Sequence, residues 1–115
     1  MITPVAKPRM TQRDRWAKRP ATQRYWEYKD LVRKLEIRIA DHGFHITFVL
    51  PMPKSWSKKK KEDNEFQPHQ QKPDKDNLEK GLLDAIFDED CRVWDSRVTK
   101  VWGYIGEIWL ESMDY

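Results

Sequence analysis

Carboxylates and amines are concentrated in one short stretch of the sequence, Lys72-Pro73-Asp74-Lys75-Asp76-Asn77-Leu78-Glu79-Lys80. Asp74 and Asp76 are two residues apart, so their side chains can point the same way where the chain is extended. Mg²⁺ prefers oxygen ligands and is usually held by one or two carboxylates together with a substrate phosphate. Asp95 follows nineteen residues after Asp76 and can join such a site only if the chain returns to it.

The reaction suited to these residues is hydrolysis of a phosphodiester. A bound metal ion lowers the pKa of a water molecule and offsets the charge that develops on the scissile phosphate. Lys80 lies one helical turn after Asp76, so the two side chains share a face if this stretch is helical. The ammonium of Lys80 could then contact a phosphate or stabilise the transition state.

A purely structural explanation fits the same residues. Asp76 followed by Glu79 is a capping-box pattern for the start of a helix. Lys80 can pair with Asp84 at the i, i+4 spacing, and Asp95 can be a turn residue before a strand. The spacing alone therefore leaves both a metal site and a helix cap open.

Charge is distributed unevenly along the 115 residues, whose net charge is +3. Residues 1–61 carry 16 Lys/Arg against 5 Asp/Glu, a balance of +11, whereas residues 62–115 carry 6 against 14, a balance of −8. A metal-dependent nuclease needs cations for the phosphates and a local acidic cluster for the ions. Two solvated faces of opposite sign, which attract each other or a partner protein, would account for the same balance.

The composition excludes several classes of protein. The one cysteine, Cys91, rules out an intramolecular disulfide and a cysteine-based zinc site. No apolar run reaches the roughly 20 residues needed to span a membrane, and the basic N-terminus lacks the apolar segment of a secretory signal. We therefore expect a soluble protein of the cytoplasm, with a length that suits one small domain.

Periodicity predicts an α/β (α+β) fold, with a mixed or antiparallel sheet of about three to four strands packed against two main helices. The last two strands are expected to pair as a hairpin that turns near Gly103 and Gly106. The predicted elements are a helix over Thr22–Ile39, a strand over Phe44–Leu50, a helix over Asp76–Phe87, and strands over Val98–Tyr104 and Gly106–Ser112.

Two basic segments flank these elements. Residues 1–21 are predicted to form a basic arm with a short strand near its start, and residues 54–73 a mobile basic loop. Lysines and arginines in and beside these segments are the candidates for contact with DNA phosphates. They are Lys7, Arg9, Arg13, Arg15, Lys58, Lys59, Lys60, Lys61, Lys72 and Lys75. A solvated charge run is the alternative explanation for the four consecutive lysines, because acids follow them directly.

Three segments together form a longer motif: Asp74-Lys75-Asp76-Asn77-Leu78-x-Lys80, then Leu83-Asp84-Ala85, then Val93-Trp94-Asp95-Ser96-Arg97-Val98. This motif resembles the RusA family of Holliday-junction resolvases, which has an Asp-x-Asp-Asn-x-x-Lys segment opening a helix and a further aspartate before a strand. The similarity covers roughly residues 72–112. Family members often carry two adjacent acids where this chain has Trp94-Asp95, and Asp95 is matched to the second of them.

The resemblance implies Asp74, Asp76 and Asp95 as carboxylates that bind Mg²⁺, with Mn²⁺ as a possible substitute. It also implies Lys80 as the catalytic or phosphate-contacting lysine, and Asn77 as a residue that orders the site. The implied protein is a homodimer whose two active sites nick opposed strands of a four-way DNA junction. It would work in recombination and repair in the cytoplasm of a bacterial cell, in a phage or prophage setting.

Two other functions fit parts of the sequence. A non-catalytic DNA-binding phage regulator or architectural protein would use the same basic residues and leave junctions intact. A protein–protein adaptor would use the opposed charges and bind no DNA near physiological salt. Neither would require Asp74, Asp76, Lys80 and Asp95 together at the family spacing.

Overall fold

A mixed three-stranded sheet forms the centre of the computed structural model, which describes residues 2–7, 20–40, 42–87 and 92–113. The central strand β1 is parallel to β2 on one side and antiparallel to β3 on the other. This confirms the α+β class. The elements in chain order are α1 (Pro20–Lys34), β1 (Phe44–Pro51), α2 (Lys58–Asn64), α3 (Lys75–Ile86), β2 (Ser96–Gly103) and β3 (Glu107–Ser112).

The core lies between one face of the sheet and the helices α1 and α3. Alternate residues of β1 point to this face, because successive side chains of a strand point to opposite sides. The apolar stripe of α3, whose residues lie about one helical turn apart, packs against them. The main buried residues are Phe44, Ile46, Phe48 and Leu50 from β1, Leu78, Leu82, Leu83 and Ala85 from α3, and Tyr25, Tyr28 and Val32 from α1.

The first helix ends earlier than the sequence predicts, at Lys34 rather than Ile39. Glu36 has φ of 51°, a left-handed conformation that stops the helix. Ile37 and Ile39 continue as irregular chain and still pack against the core. Their alternating apolar pattern therefore reflects burial of an extended segment and not a further helical turn.

The predicted hairpin between the last two strands is wrong, because β1 lies between β2 and β3. Residues 104–106 carry the chain across the end of β1. β1 is the most apolar strand and is paired on both sides, as expected of a strand at the centre of a sheet. The link from β1 to β2 through α3 is the parallel crossover that such pairing requires.

The stretch predicted as one loop over residues 54–73 contains ordered structure. Residues 58–64 form α2, which begins where the Ser57 hydroxyl accepts a hydrogen bond from the Lys60 amide. Residues 66–69 then run along the outer side of β2, where the Phe66 and His69 amides donate to the carbonyls of Trp102 and Lys100. A structureless loop is therefore a wrong description of residues 58–69.

The described start of the chain, residues 2–7, contains no strand and packs beside α3. Pro4 is buried, and the Lys7 amide donates to the Asn77 carbonyl over 3.2 Å. A Cβ at Gly81 would lie 3.0 Å from the Val5 carbonyl oxygen, so a glycine allows this close approach. The rest of the predicted arm, residues 8–19, lies outside the described residues. No helix of the described chain is long and apolar enough to cross a membrane.

Candidate functional site

The acidic stretch lies at the start of α3. Asp74 is the N-cap residue with extended φ and ψ of −69° and 145°, and its carbonyl accepts the Leu78 amide over 3.1 Å. Its side chain makes no capping hydrogen bond. Asp76 follows within the first turn, and both aspartates are exposed. Two carboxylates therefore face solvent at the positive end of a helix, where negative charge is favoured.

The purely structural explanation of these residues is wrong in its details. Asp76 is not the N-cap residue, and the Glu79 carboxylate accepts a hydrogen bond from the Ser96 hydroxyl over 2.9 Å. Asp84 forms an ion pair with Lys7. Lys80 is exposed, and the partner of Asp84 is Lys7 rather than Lys80. The predicted capping box and i, i+4 pair are therefore not the interactions that Asp76 and Lys80 make.

A cleft of about 560 Å³ lies between the first half of α3 and the residues that lead into β2. The chain after α3 does return beside the start of that helix, as a shared site requires. The hydrogen bond between Ser96 and Glu79 joins the two walls. The lining residues are Asp76, Asn77, Glu79, Lys80, Leu83, Val93, Trp94 and Ser96.

Asp74 borders a second, adjoining hollow. This hollow is lined by Lys72, Pro73, Asp74 and Asn77 and has a volume of about 420 Å³. Asn77 borders both hollows. Asn77 is thus shared by the cleft that Asp76 lines and the hollow that Asp74 lines.

Asp95 is placed differently from its neighbours in the sequence. Val93, Trp94 and Ser96 line the cleft, but Asp95 is not among the lining residues. Its carbonyl accepts the Gly43 amide over 3.1 Å, at the start of β1. Among the described residues, no three His, Cys, Asp or Glu side chains are grouped closely enough to hold a metal ion. The metal-binding role of Asp95 stays a prediction.

Lys100 is a residue beside the site that sequence reasoning missed. Its ammonium donates to the carbonyls of Gln71 over 2.5 Å and Pro73 over 2.8 Å, directly before Asp74. Burial lowers the pKa of Lys100, and the nearby Asp74 carboxylate acts in the opposite direction. The sequence does contain a sign of its role. Lys100 alternates with the apolar Val98 and Trp102, so it lies on the face of β2 that is turned toward the core.

Replacing Lys100 by methionine is expected to lower the free energy of unfolding by about 1–3 kcal/mol, because two carbonyls lose a charged donor. The turn that carries Asp74 should loosen, and the Leu78 amide, which is bonded to the Asp74 carbonyl, should exchange its hydrogen faster. Urea denaturation and hydrogen exchange measure these effects. Lys100→Arg should retain most of the stability, and Lys59→Met on exposed α2 should change nothing. Equal exchange at Leu78 in wild type and Lys100→Met would contradict this role.

The predicted DNA-contacting residues have different surroundings. Lys58 to Lys61 all lie on α2, which has no buried residue. The Lys60 ammonium lies 4.3 Å above the Trp56 ring, which packs against Trp102 at 4.7 Å between centroids. This aromatic contact fixes the lysine-bearing helix against the end of β2.

The other basic candidates divide into three groups. Lys72 and Lys75 are exposed beside Asp74. Lys7 is engaged in its ion pair with Asp84. Arg9, Arg13 and Arg15 lie outside the described residues. DNA contact by all of them stays a prediction.

Comparison with known proteins gives one match. The family model described as "Endodeoxyribonuclease RusA" matches residues 2–110. This range includes both hollows and all described elements except the last two residues of β3. No curated protein and no solved structure shows significant similarity to the chain.

Proposed function

Since the chain belongs to the RusA family of endodeoxyribonucleases, we propose that it is a magnesium-dependent enzyme that resolves four-way DNA junctions by paired phosphodiester hydrolysis. One observation carries the proposal. The family match extends over nearly the whole chain and includes a helix start where Asp74 and Asp76 are exposed beside a cleft. The position of Lys80 on the cleft wall adds a cation for the substrate.

Asp74 and Asp76 are the residues that would hold Mg²⁺ or Mn²⁺. Both are exposed at the N-terminus of a helix. The Asp74 side chain makes no capping hydrogen bond, and the ion pair with Lys7 is formed by Asp84. Magnesium retains several waters and needs few protein ligands when a phosphate is present. When bound, the ion would lower the pKa of the water nucleophile and stabilise negative charge on the phosphate.

Lys80 and Asn77 would act on the substrate side of the cleft. Lys80 lies one turn after Asp76 on the same helix face, and it is an exposed residue that lines the cleft together with Asp76. There it would bind a phosphate oxygen and stabilise charge in the transition state. Asn77, which borders both hollows, would keep the two aspartates in position.

Affinity for DNA would come from the basic residues. Four consecutive lysines on α2, together with Lys72 and Lys75 beside Asp74, would contact phosphates and release counterions. The predicted arm adds Arg9, Arg13 and Arg15. Binding should therefore weaken steeply as salt concentration rises.

A homodimer would supply the second active site needed to nick opposed strands. The small apolar core favours additional burial through association. Exposed apolar side chains such as Leu31, Leu35 and Trp109 are available for it. Sedimentation or light scattering of the purified chain would give its oligomeric state.

The decisive experiment is incubation of the wild-type chain with a synthetic four-way junction, with Mg²⁺ or with EDTA. We expect paired nicks in opposed strands of the junction with Mg²⁺, none with EDTA, and far slower cutting of a linear duplex of the same sequence. Equal cutting of duplex and junction would reject structure selectivity. Binding of the junction without cutting under any divalent ion would instead identify a non-catalytic DNA-binding protein.

A further inference from the structure

Trp94 is the most exposed large apolar side chain of the described chain, with 72% of its surface accessible. It lies at the wall of the cleft that also contains Asp76, Asn77 and Lys80. Water solvates an indole poorly, so an exposed one beside a polar cleft is a feature that folding alone does not require.

The indole is held in place from one side. The ring of His42 stacks on it with centroids 5.2 Å apart and an angle of 20° between the planes. Since the indole remains largely accessible, its other surface is available to a second flat ring. The stack restrains the orientation of Trp94 before any ligand arrives, which lowers the entropic cost of binding.

We propose that Trp94 is a stacking platform for a nucleobase of the DNA strand whose phosphate occupies the cleft, an inference that rests on the proposed function. The cleft combines a cation for phosphate at Lys80 with an aromatic face at Trp94. Sites for unpaired nucleic acid combine these same two features. A second protein would fit less well, because five of the eight residues that line the cleft are polar or charged and only Leu83, Val93 and Trp94 are apolar.

The platform gives a physical basis for branch selectivity. Bases inside a continuous duplex are stacked on their neighbours, and moving one onto a protein ring costs unstacking energy. At the exchange point of a junction the stacking of one helix is interrupted, so this cost is smaller. Trp94 therefore favours nucleotides at a branch point over those of a linear duplex.

The test measures base stacking directly. A four-way junction carries 2-aminopurine, whose fluorescence falls on stacking, at the nucleotides next to the exchange point, and EDTA prevents cutting. Wild type should quench the probe, Trp94→Phe should retain most of the quenching, and Trp94→Ala should lose it. Trp94→Ala should also bind the junction about 5- to 150-fold more weakly, with unchanged affinity for linear duplex. Trp26→Ala, which removes an exposed indole from α1, is the matched control and should behave as wild type.

Other outcomes separate the two proposals. Quenching and junction affinity equal to wild type in Trp94→Ala, or an equal loss of affinity for junction and duplex, would overturn the platform. A wild-type chain that binds and quenches but never cuts with Mg²⁺ would overturn the nuclease alone. Circular dichroism and the melting temperature verify that each variant is folded. His42→Ala provides a second variant, expected to reduce quenching because the indole loses the ring that orients it.

Discussion

Asp76→Asn is expected to lower the rate of junction cleavage by about 10²–10³-fold, while junction affinity in EDTA stays within a few-fold of wild type. Asparagine keeps the size of the side chain and removes the charge that would hold the metal ion. As a first-turn acid of α3, Asp76 contributes only about 0.3–1 kcal/mol to stability through the helix dipole. A large loss of cleavage with a small loss of stability therefore separates a metal ligand from a structural residue.

The matched control for this variant is Asp63→Asn, which removes an exposed acid from the short helix α2 and should leave cleavage unchanged. Titration of Mn²⁺ by calorimetry gives a readout independent of turnover, and Asp76→Asn should bind the ion more weakly than Asp63→Asn. Cleavage by Asp76→Asn at the wild-type rate would remove Asp76 from the mechanism.

Asp95→Asn belongs in the same series, because the family resemblance implies Asp95 as a third ligand while Asp95 borders neither hollow. Its backbone carbonyl is bonded to Gly43, and it does not line the cleft that its neighbours share. If Asp95→Asn cuts normally, any third carboxylate of the site comes from another residue. Asp88, Glu89 and Asp90 are acids shortly before Val93 in the sequence, and their amide variants would identify which of them replaces it.

Phe48→Ala should produce the largest loss of stability, about 3–5 kcal/mol. Phe48 is fully buried in the middle of β1, paired with Lys100 of β2 and Ile108 of β3. Removing its ring leaves a cavity that the paired strands on both sides cannot close by moving together. Because the total free energy of unfolding of a small domain is only about 5–15 kcal/mol, the melting temperature should fall by more than about 12 °C.

Thermal and urea unfolding of two companion variants test the reason for this loss. Phe48→Leu fills much of the cavity and should cost less than about 1.5 kcal/mol. Leu35→Ala removes an apolar side chain that is 54% exposed, and should change stability by less than about 0.5 kcal/mol. A similar loss in Leu35→Ala and Phe48→Ala would mean that the face of β1 toward α1 and α3 is not the main core.

Local patterns predict most of the elements of this fold. The apolar stripe Leu78, Leu82 and Ala85 has the period of a helix, and the structure has α3 within one or two residues of the predicted range. The β-rich run from Phe44 is likewise a strand. Such elements are encoded by neighbouring residues, so a single sequence is enough to recognise them.

The order of the strands depends on distant contacts, which local patterns do not encode. Two consecutive strands separated by glycines match a hairpin, but the apolar β1 gains more burial by lying between β2 and β3. The helix α2 was missed for a different reason. Its seven residues have no apolar stripe, and it depends on the Ser57 cap and the Lys60–Trp56 contact.

The candidate site shows the same difference between what neighbouring residues encode and what distant contacts decide. The start of α3 with Asp74, Asp76 and Lys80 was predicted because a motif of adjacent residues carries it. Trp94 was recognised only as a residue that stands where relatives have an acid, and Lys100 was missed, because only the return of the chain brings Lys100 beside the start of α3. Asp95 lies between Trp94 and Ser96 and does not line the cleft that both of them line, and its metal-binding role stays a prediction.

The residues that run along the outer side of β2 also bear on solubility. An unpaired strand edge can template pairing with another chain and start aggregation. Phe66, Gln67 and His69 occupy the hydrogen-bonding groups of Lys100 and Trp102 that would otherwise be open on that edge. A deletion that shortens residues 65–70 would thus leave β2 able to recruit a strand from a neighbouring molecule. The connection between β1 and α3 therefore protects this edge of the sheet from pairing with another chain.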